Sequence, residues 1–159
     1  MSFLTRRRIE RTSDGSIALR LPEGERELLA SLSQELRSLL GSAPDDPGLR
    51  RLFPPAYDDP VDQIDYRELT HDGLLAGRQR TLESLERTAS AERLDDEEAH
   101  AWLTALNDLR LVLGTRLDVQ EGLSLAELSP RNPRAREYGV YAYLSWLQEQ
   151  LVEALAAVE

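Results

Sequence analysis

The side chains able to do chemistry in this chain are carboxylates and guanidiniums, because thiols and lysine amines are missing altogether. Asp58, Asp59, Asp62 and Asp65 form the densest acidic run. Hard oxygen ligands of this kind suit calcium or magnesium, but an EF-hand loop also needs a glycine and a closing glutamate at fixed positions. The run has neither, so a solvated helix face is the preferred reading. Arg6, Arg7, Arg8 and Arg11 make a basic cluster near the N-terminus. A basic ribbon can enter a DNA groove; it can equally meet acidic side chains of its own chain or of a partner. With no lysine and no interleaved aromatic, the second reading is preferred. Arg131, Arg134 and Arg136 form a smaller group where a helix is expected to start. Cations there oppose the helix dipole, so ion pairing with acidic neighbours is expected. Asn107, Asp108, Arg110 and Arg116 lie inside a leucine-rich helical stretch. Asp108 and Arg110 are too close in sequence to face each other on a helix. A polar network reaching another helix is therefore expected, since buried polar groups must find partners.

Other chemistry is excluded by composition. Without cysteine there is no disulfide, thiolate nucleophile, zinc–thiolate site or thiol redox switch. His71 and His100 are far apart and form no metal-ligand pair. No G-x-S-x-G elbow, phosphate-binding Walker loop or dinucleotide fingerprint is present. Trp102 and Trp146 fall at core spacing and are read as packing residues. The expectation is a protein that is not an enzyme and holds no cofactor and no metal. The net charge of −10, carried against 19 basic residues that are all arginine, disfavours nucleic acid, whose affinity rests on phosphate neutralisation. No apolar run approaches a membrane span, and the basic N-terminus lacks the apolar region of a secretory signal. A cytoplasmic protein is expected.

These residues sit on a scaffold that the apolar pattern makes mainly α: a bundle of about four long helices with an N-terminal β-hairpin, in one domain spanning 1–159. Residues 1–21 read as the hairpin, turning at Ser13-Asp14-Gly15, with Ile17, Leu19 and Leu21 alternating as a half-buried strand does. A helix over 22–41 opens at Pro22, buries Leu28, Leu29, Leu32, Leu36, Leu39 and Leu40, and stops at Gly41. Residues 42–60 are a proline-rich connector, with one short helix from Pro47 to Phe53. Three further helices fill 61–158. The first runs from Val61 to Ala89, with Gly73 and Gly77 inviting close approach of a neighbour. The second opens at an Asp95–Glu98 capping box. The last starts at Asn132-Pro133 as N-cap and first helical residue.

Three stretches carry a resemblance. They are Leu52-Phe53-Pro54-Pro55-Ala56-Tyr57 followed by acidic residues, Asp65-Tyr66-Arg67-Glu68-Leu69, and the long run from Trp102 to Leu117 that contains W-L-T-A-L-N-D-L-R-L. In order and spacing they resemble an actinobacterial domain-of-unknown-function family that includes an oxidative-stress transcriptional regulator. The resemblance implies a cytoplasmic, non-enzymatic regulator working through a sigma factor or promoter complex. A partner or adaptor role in Clp-type proteolysis is its alternative. The cysteine-pair sensing that it would also imply cannot occur in a chain without cysteine, and Met1 is the sole methionine.

The function expected is thus regulation by protein–protein contact. The candidate interaction surface is Phe53, Pro54, Pro55, Tyr57, Asp58, Asp59, Asp65, Tyr66 and Arg67, aromatic anchors beside an acidic rim. The competing reading is that Phe53 and Tyr57 merely pin the connector to the bundle. A leftover apolar stripe on the last helix, ending at Val158, would favour a homodimer. A small enzyme with a site between helices, around Asp65, Asn107 and Arg110, is the third reading.

Overall fold

A computed structural model of the chain describes residues 7–43, 45–52, 60–117 and 131–157, with side chains of the second long helix described from residue 73 onward. Among these residues the molecule is mainly α, with four long helices and one small sheet. The elements run β1 (Ile9–Arg11), β2 (Ile17–Leu19), α1 (Glu23–Ser42), a short 3-10 helix (Pro47–Leu52), α2 (Pro60–Thr88), β3 (Arg93–Leu94), α3 (Asp96–Leu117) and α4 (Ala135–Ala156).

The hairpin forms where Asp-Gly requires it. Gly15 takes φ 88°, a left-handed conformation that glycine adopts without steric cost. The turn closes through Thr12 N–H to the Ser16 carbonyl at 2.9 Å and Gly15 N–H to the Thr12 carbonyl at 3.0 Å. Register pairs Ile9 with Leu19 and Arg11 with Ile17. A third strand, β3, adds antiparallel to β2 through Ile17 opposite Leu94. Its two residues are too few to show an alternation, which is why the sequence pattern does not announce it.

Helix α1 buries Leu29, Ser33, Leu36 and Leu40 on one face. It outlasts the stop expected at Gly41 by one residue. Its end is set instead by Ala43, which precedes Pro44 and leaves the helical region at φ −142°. The 3-10 helix sinks Leu49 and Leu52 against α3. The capping box of α3 is formed in both directions: Glu98 N–H donates to Asp95 Oδ1 at 2.7 Å and Asp95 N–H to Glu98 Oε1 at 2.9 Å. Helix α4 begins at Ala135, later than Asn132-Pro133 suggests. Asn132 spends its side-chain oxygen on the Arg134 N–H at 2.8 Å, closing a turn ahead of the helix.

Helix α3 is the hub. It lies between α2 and α4 and covers the 3-10 helix, while α1 packs chiefly on α2. Trp102, Ala105 and Leu106 of α3 meet Leu82 and Leu85 of α2 and Leu144, Leu147 and Leu151 of α4 in one core, closed by Ile9, Ile17 and Leu94 of the sheet. Trp102 is fully buried and donates its indole N–H to Thr88 at 2.6 Å, so its polar atom is satisfied. Among the described residues the close approach expected at Gly73 and Gly77 is absent: none packs over Gly73, and only the far end of Arg80 nears Gly77. It occurs at Gly114, where a Cβ would stand 3.0 Å from the ring of Tyr141.

Candidate functional site

The expected interaction surface falls mostly outside the described residues. Phe53, Pro54, Pro55, Tyr57, Asp58 and Asp59 lie beyond them, and Asp65, Tyr66 and Arg67 are placed only as backbone within α2. Arg6 also lies outside.

The described arginines of the N-terminal cluster turn onto their own chain. Arg7 pairs with Glu153 at 2.6 Å. Arg11 donates to the carbonyls of Ala154 (2.9 Å) and Gly15 (2.7 Å) and pairs with Asp96 at 3.2 Å. Arg8 is 3% exposed. Its guanidinium grips both oxygens of Glu25 at 3.0–3.3 Å and lies 5.5 Å from the centre of the Trp146 ring. Tyr143 donates to the same carboxylate at 2.8 Å. Burial, then the neighbouring Glu25, pushes the Tyr143 hydroxyl pKa far above the usual phenol range. Next to this cluster, Gln150 Oε1 accepts the backbone N–H groups of Arg8 and Ile9 at 2.8 and 3.1 Å. One α4 side chain thereby satisfies N–H groups on the otherwise unpaired edge of the sheet and fixes β1 to the bundle.

The polar side chains of α3 divide between two faces. Asp108 is 1% exposed and pairs with Arg78 of α2 at 2.5 Å. Arg78 also donates to the Leu52 carbonyl at 3.1 Å, tying the 3-10 helix to α2 and α3 at one point. Burial raises the Asp108 pKa, opposed by Arg78, and its second oxygen has no hydrogen-bond partner among the described residues. On the α4 side, Asn107 Oδ1 accepts from Arg110 at 3.3 Å and from Gln148 at 3.5 Å. The structure brings Asn107 and Arg110 together but leaves Asp108 facing away from them, and Arg116, near the end of the helix, lies over Gly48 of the 3-10 helix.

That end of α3 is capped by α4. Arg134 donates to the Arg116 carbonyl and Tyr138 to that of Leu117, which satisfies two of the last carbonyls of α3. Arg134 also pairs with Glu137 at 3.1 Å. Arg116 and Arg136 are exposed and form no ion pair with a described carboxylate.

Beside them opens a cleft of about 910 Å³, walled by α1 and α4 and floored by α3. Leu32, Leu36 and Leu39 form one wall, Leu109, Val112 and Leu113 the floor, and Val140 and Leu144 the other wall. Glu35, Ser38, Ser42, Arg116, Arg136 and Glu137 rim it. Several of its leucines have the helical spacing read from the sequence as wholly internal. The cleft exists because α1 leans on α2 instead of α4, a packing choice with no sequence signal of its own.

Arg26 is a functional-looking side chain with a structural task that sequence reasoning misses. It donates to the carbonyls of Leu19, Leu21, Ala89 and Ala91 and so joins β2, α1 and the turn after α2. Among the described residues no group of three or more histidines and carboxylates is placed to hold a metal ion. No helix there is long and apolar enough to cross a membrane. Among the described residues Val152 is the one exposed large hydrophobic, while Val158 lies outside them.

Comparison with known proteins gives consistent matches. The chain is 33% identical over 151 aligned residues to proteins named oxidative stress regulator AosR in Mycobacterium tuberculosis and Mycobacterium bovis, with 79% of this chain and 68% of each relative covered. A protein of Mycobacterium leprae named putative oxidative stress regulator AosR is 33% identical over 132 residues, covering 72% of this chain and 60% of that protein. No solved structure matches the chain significantly. A family model described as a domain of unknown function, DUF2017, matches residues 6–155, and with nearly the whole chain covered, the protein belongs to the DUF2017 family.

Proposed function

We propose that the protein is a non-enzymatic regulator of the oxidative-stress response that acts on transcription by contacting other proteins. The similarity to the mycobacterial regulators over 79% of the chain carries this reading. Two features of the molecule support contact with protein over contact with DNA. The described arginines of the basic N-terminal ribbon are engaged within the chain, to Glu153, Glu25 and Asp96. The surface instead offers an apolar cleft, and clefts of this kind take helices or side-chain anchors of partners. Its partner in this reading is a component of the transcription machinery such as a sigma factor, and the stimulus does not act through a thiol of this chain, which has none.

The test is a deletion in the native host, challenged with peroxide and profiled for transcripts, then complemented with the chain. The expected result is a set of oxidant-responsive transcripts lost on deletion and restored on complementation. Purified protein then shifts promoter DNA only with sigma factor and polymerase present. An unchanged transcript profile overturns the reading. So does a direct, steeply salt-dependent shift by the chain alone, the signature of phosphate contacts. Stabilised proteins with unchanged transcripts, and co-purification with protease subunits, point instead to a role in Clp-type proteolysis.

A further inference from the structure

The cleft combines two features. Leu39 on α1, Leu113 on α3 and Val140 on α4 are half-buried around it, so apolar surface remains in water beyond what the core consumes. At one end, Arg116 in the last turn of α3 and Arg136 in the first turn of α4 stand exposed without a described carboxylate partner. This is an unusual expenditure in a chain of net charge −10. Two carboxylates lie close by and are engaged elsewhere: Asp46, beside Arg116 over Gly48, accepts the Gly48 N–H, and Glu137 is paired with Arg134. Arg136 also sits at a helix N-terminus, where a cation is disfavoured by the macrodipole. The acidic residue of the same first turn is Glu137, already held by Arg134.

We propose that this cleft docks an acidic amphipathic helix of a protein partner, its apolar face on Leu39, Leu113 and Val140 and its carboxylates against Arg116 and Arg136. The inference rests on the reading of the protein as a contact-based regulator and names the surface that reading lacks. Dimensions agree. The α1 wall runs from Leu32 to Ser42, a length of about 15 Å at the helical rise, which accommodates roughly three turns of a docked helix. An apolar trough with charge at one end reads register as well as affinity, because a reversed helix would leave its carboxylates away from the arginines. Glu35 on the opposite rim adds a preference for a basic residue further along the same helix.

The probe is a designed helical peptide of about fourteen residues, with leucines at i, i+3, i+4 and i+7 and three glutamates at one end. It is compared with its glutamine counterpart by NMR shift mapping on the full chain. The acidic peptide is expected to perturb Leu39, Val112, Leu113 and Val140, and to bind at least about tenfold more tightly than the glutamine version. The double charge reversal R116E/R136E should remove that preference. Both side chains are exposed, so the variant keeps its fold, checked by an unchanged far-UV spectrum. L39D should weaken both peptides. Binding that ignores the charge reversal and L39D overturns the proposal. Failure of both peptides, with uptake of a small apolar dye alone, overturns it in favour of a ligand cavity. If peptide binding appears only after Leu123, Leu125 and Leu128 are changed to serine, the cleft is reserved for the chain's own segment and the proposal again fails. The same R116E/R136E variant is introduced into the deletion strain. Normal complementation of the transcript response by it refutes the cleft proposal and leaves the regulator reading standing. A deletion without transcript effect removes the regulator reading, whatever the peptides do.

Discussion

The Arg8–Glu25 pair makes the strongest energetic claim in the molecule. Arg8→Met removes a guanidinium that is 3% exposed while keeping most of its apolar stem. What remains is Glu25, 19% exposed, with Tyr143 as its residual donor. Breaking a buried pair by removing one partner costs about 3–5 kcal/mol, because the other charge is left uncompensated. Water at the partly exposed Glu25 and the retained Tyr143 bond place this case near the lower limit. Loss of the cation–π contact with Trp146 adds about 1 kcal/mol, and the apolar methionine returns a comparable amount. The expected loss is therefore about 3 kcal/mol. Urea unfolding followed by far-UV circular dichroism reads it directly. With m of about 2 kcal/mol/M, the midpoint falls by about 1.5 M at unchanged m. Pairing Arg8→Met with Glu25→Leu removes both charges, so the double variant should recover about half of the Arg8→Met loss and cost well under the sum of the two single changes. A midpoint shift below about 0.3 M, or a double variant whose losses simply add, would refute the claim that this pair anchors β1 to α1 and α4.

Other expectations follow from single features. Asp108 has its pKa raised in the fold by burial, so the native state keeps a proton that the unfolded chain has released. Stability therefore falls as pH rises upward from the ordinary aspartate value of about 4, and D108N flattens that part of the pH–stability curve; a wild-type curve that rises with pH relative to D108N would show that Arg78 outweighs burial. Asp95→Ala removes half of a reciprocal cap and should cost about 1 kcal/mol in urea unfolding. Gly73→Ala fills open space on α2 and should stabilise by up to about 1 kcal/mol through helix propensity. Gly114→Ala should destabilise by about 1–2 kcal/mol, because its Cβ meets the Tyr141 ring. Adding Tyr141→Ala should relieve that clash, measured as a coupling between the two changes.

The sequence by itself determined the local elements. Leucine spacing marks four helices because a 3.6-residue repeat leaves one face apolar whatever that face meets. Asp14-Gly15 marks the turn, since a left-handed residue there has few alternatives. The Asp95–Glu98 box is legible because donor and acceptor lie within one turn. The family was legible from the stretch around Asn107-Asp108, and the matched relatives agree with it.

The tertiary structure alone decided what depends on long-range partners. Nothing local distinguishes Arg8, which is buried on Glu25, from Arg116, which is exposed at the cleft. Their fates follow from which helix arrives beside them. β3 exists because β2 offers an open edge to two residues that carry no strand pattern of their own. The apolar stripes state how much surface each helix must hide, but not the angle at which α1 leaves α4. That angle, set by simultaneous packing of α1 on α2 and of α4 on α3, turns part of a core stripe into a cleft wall.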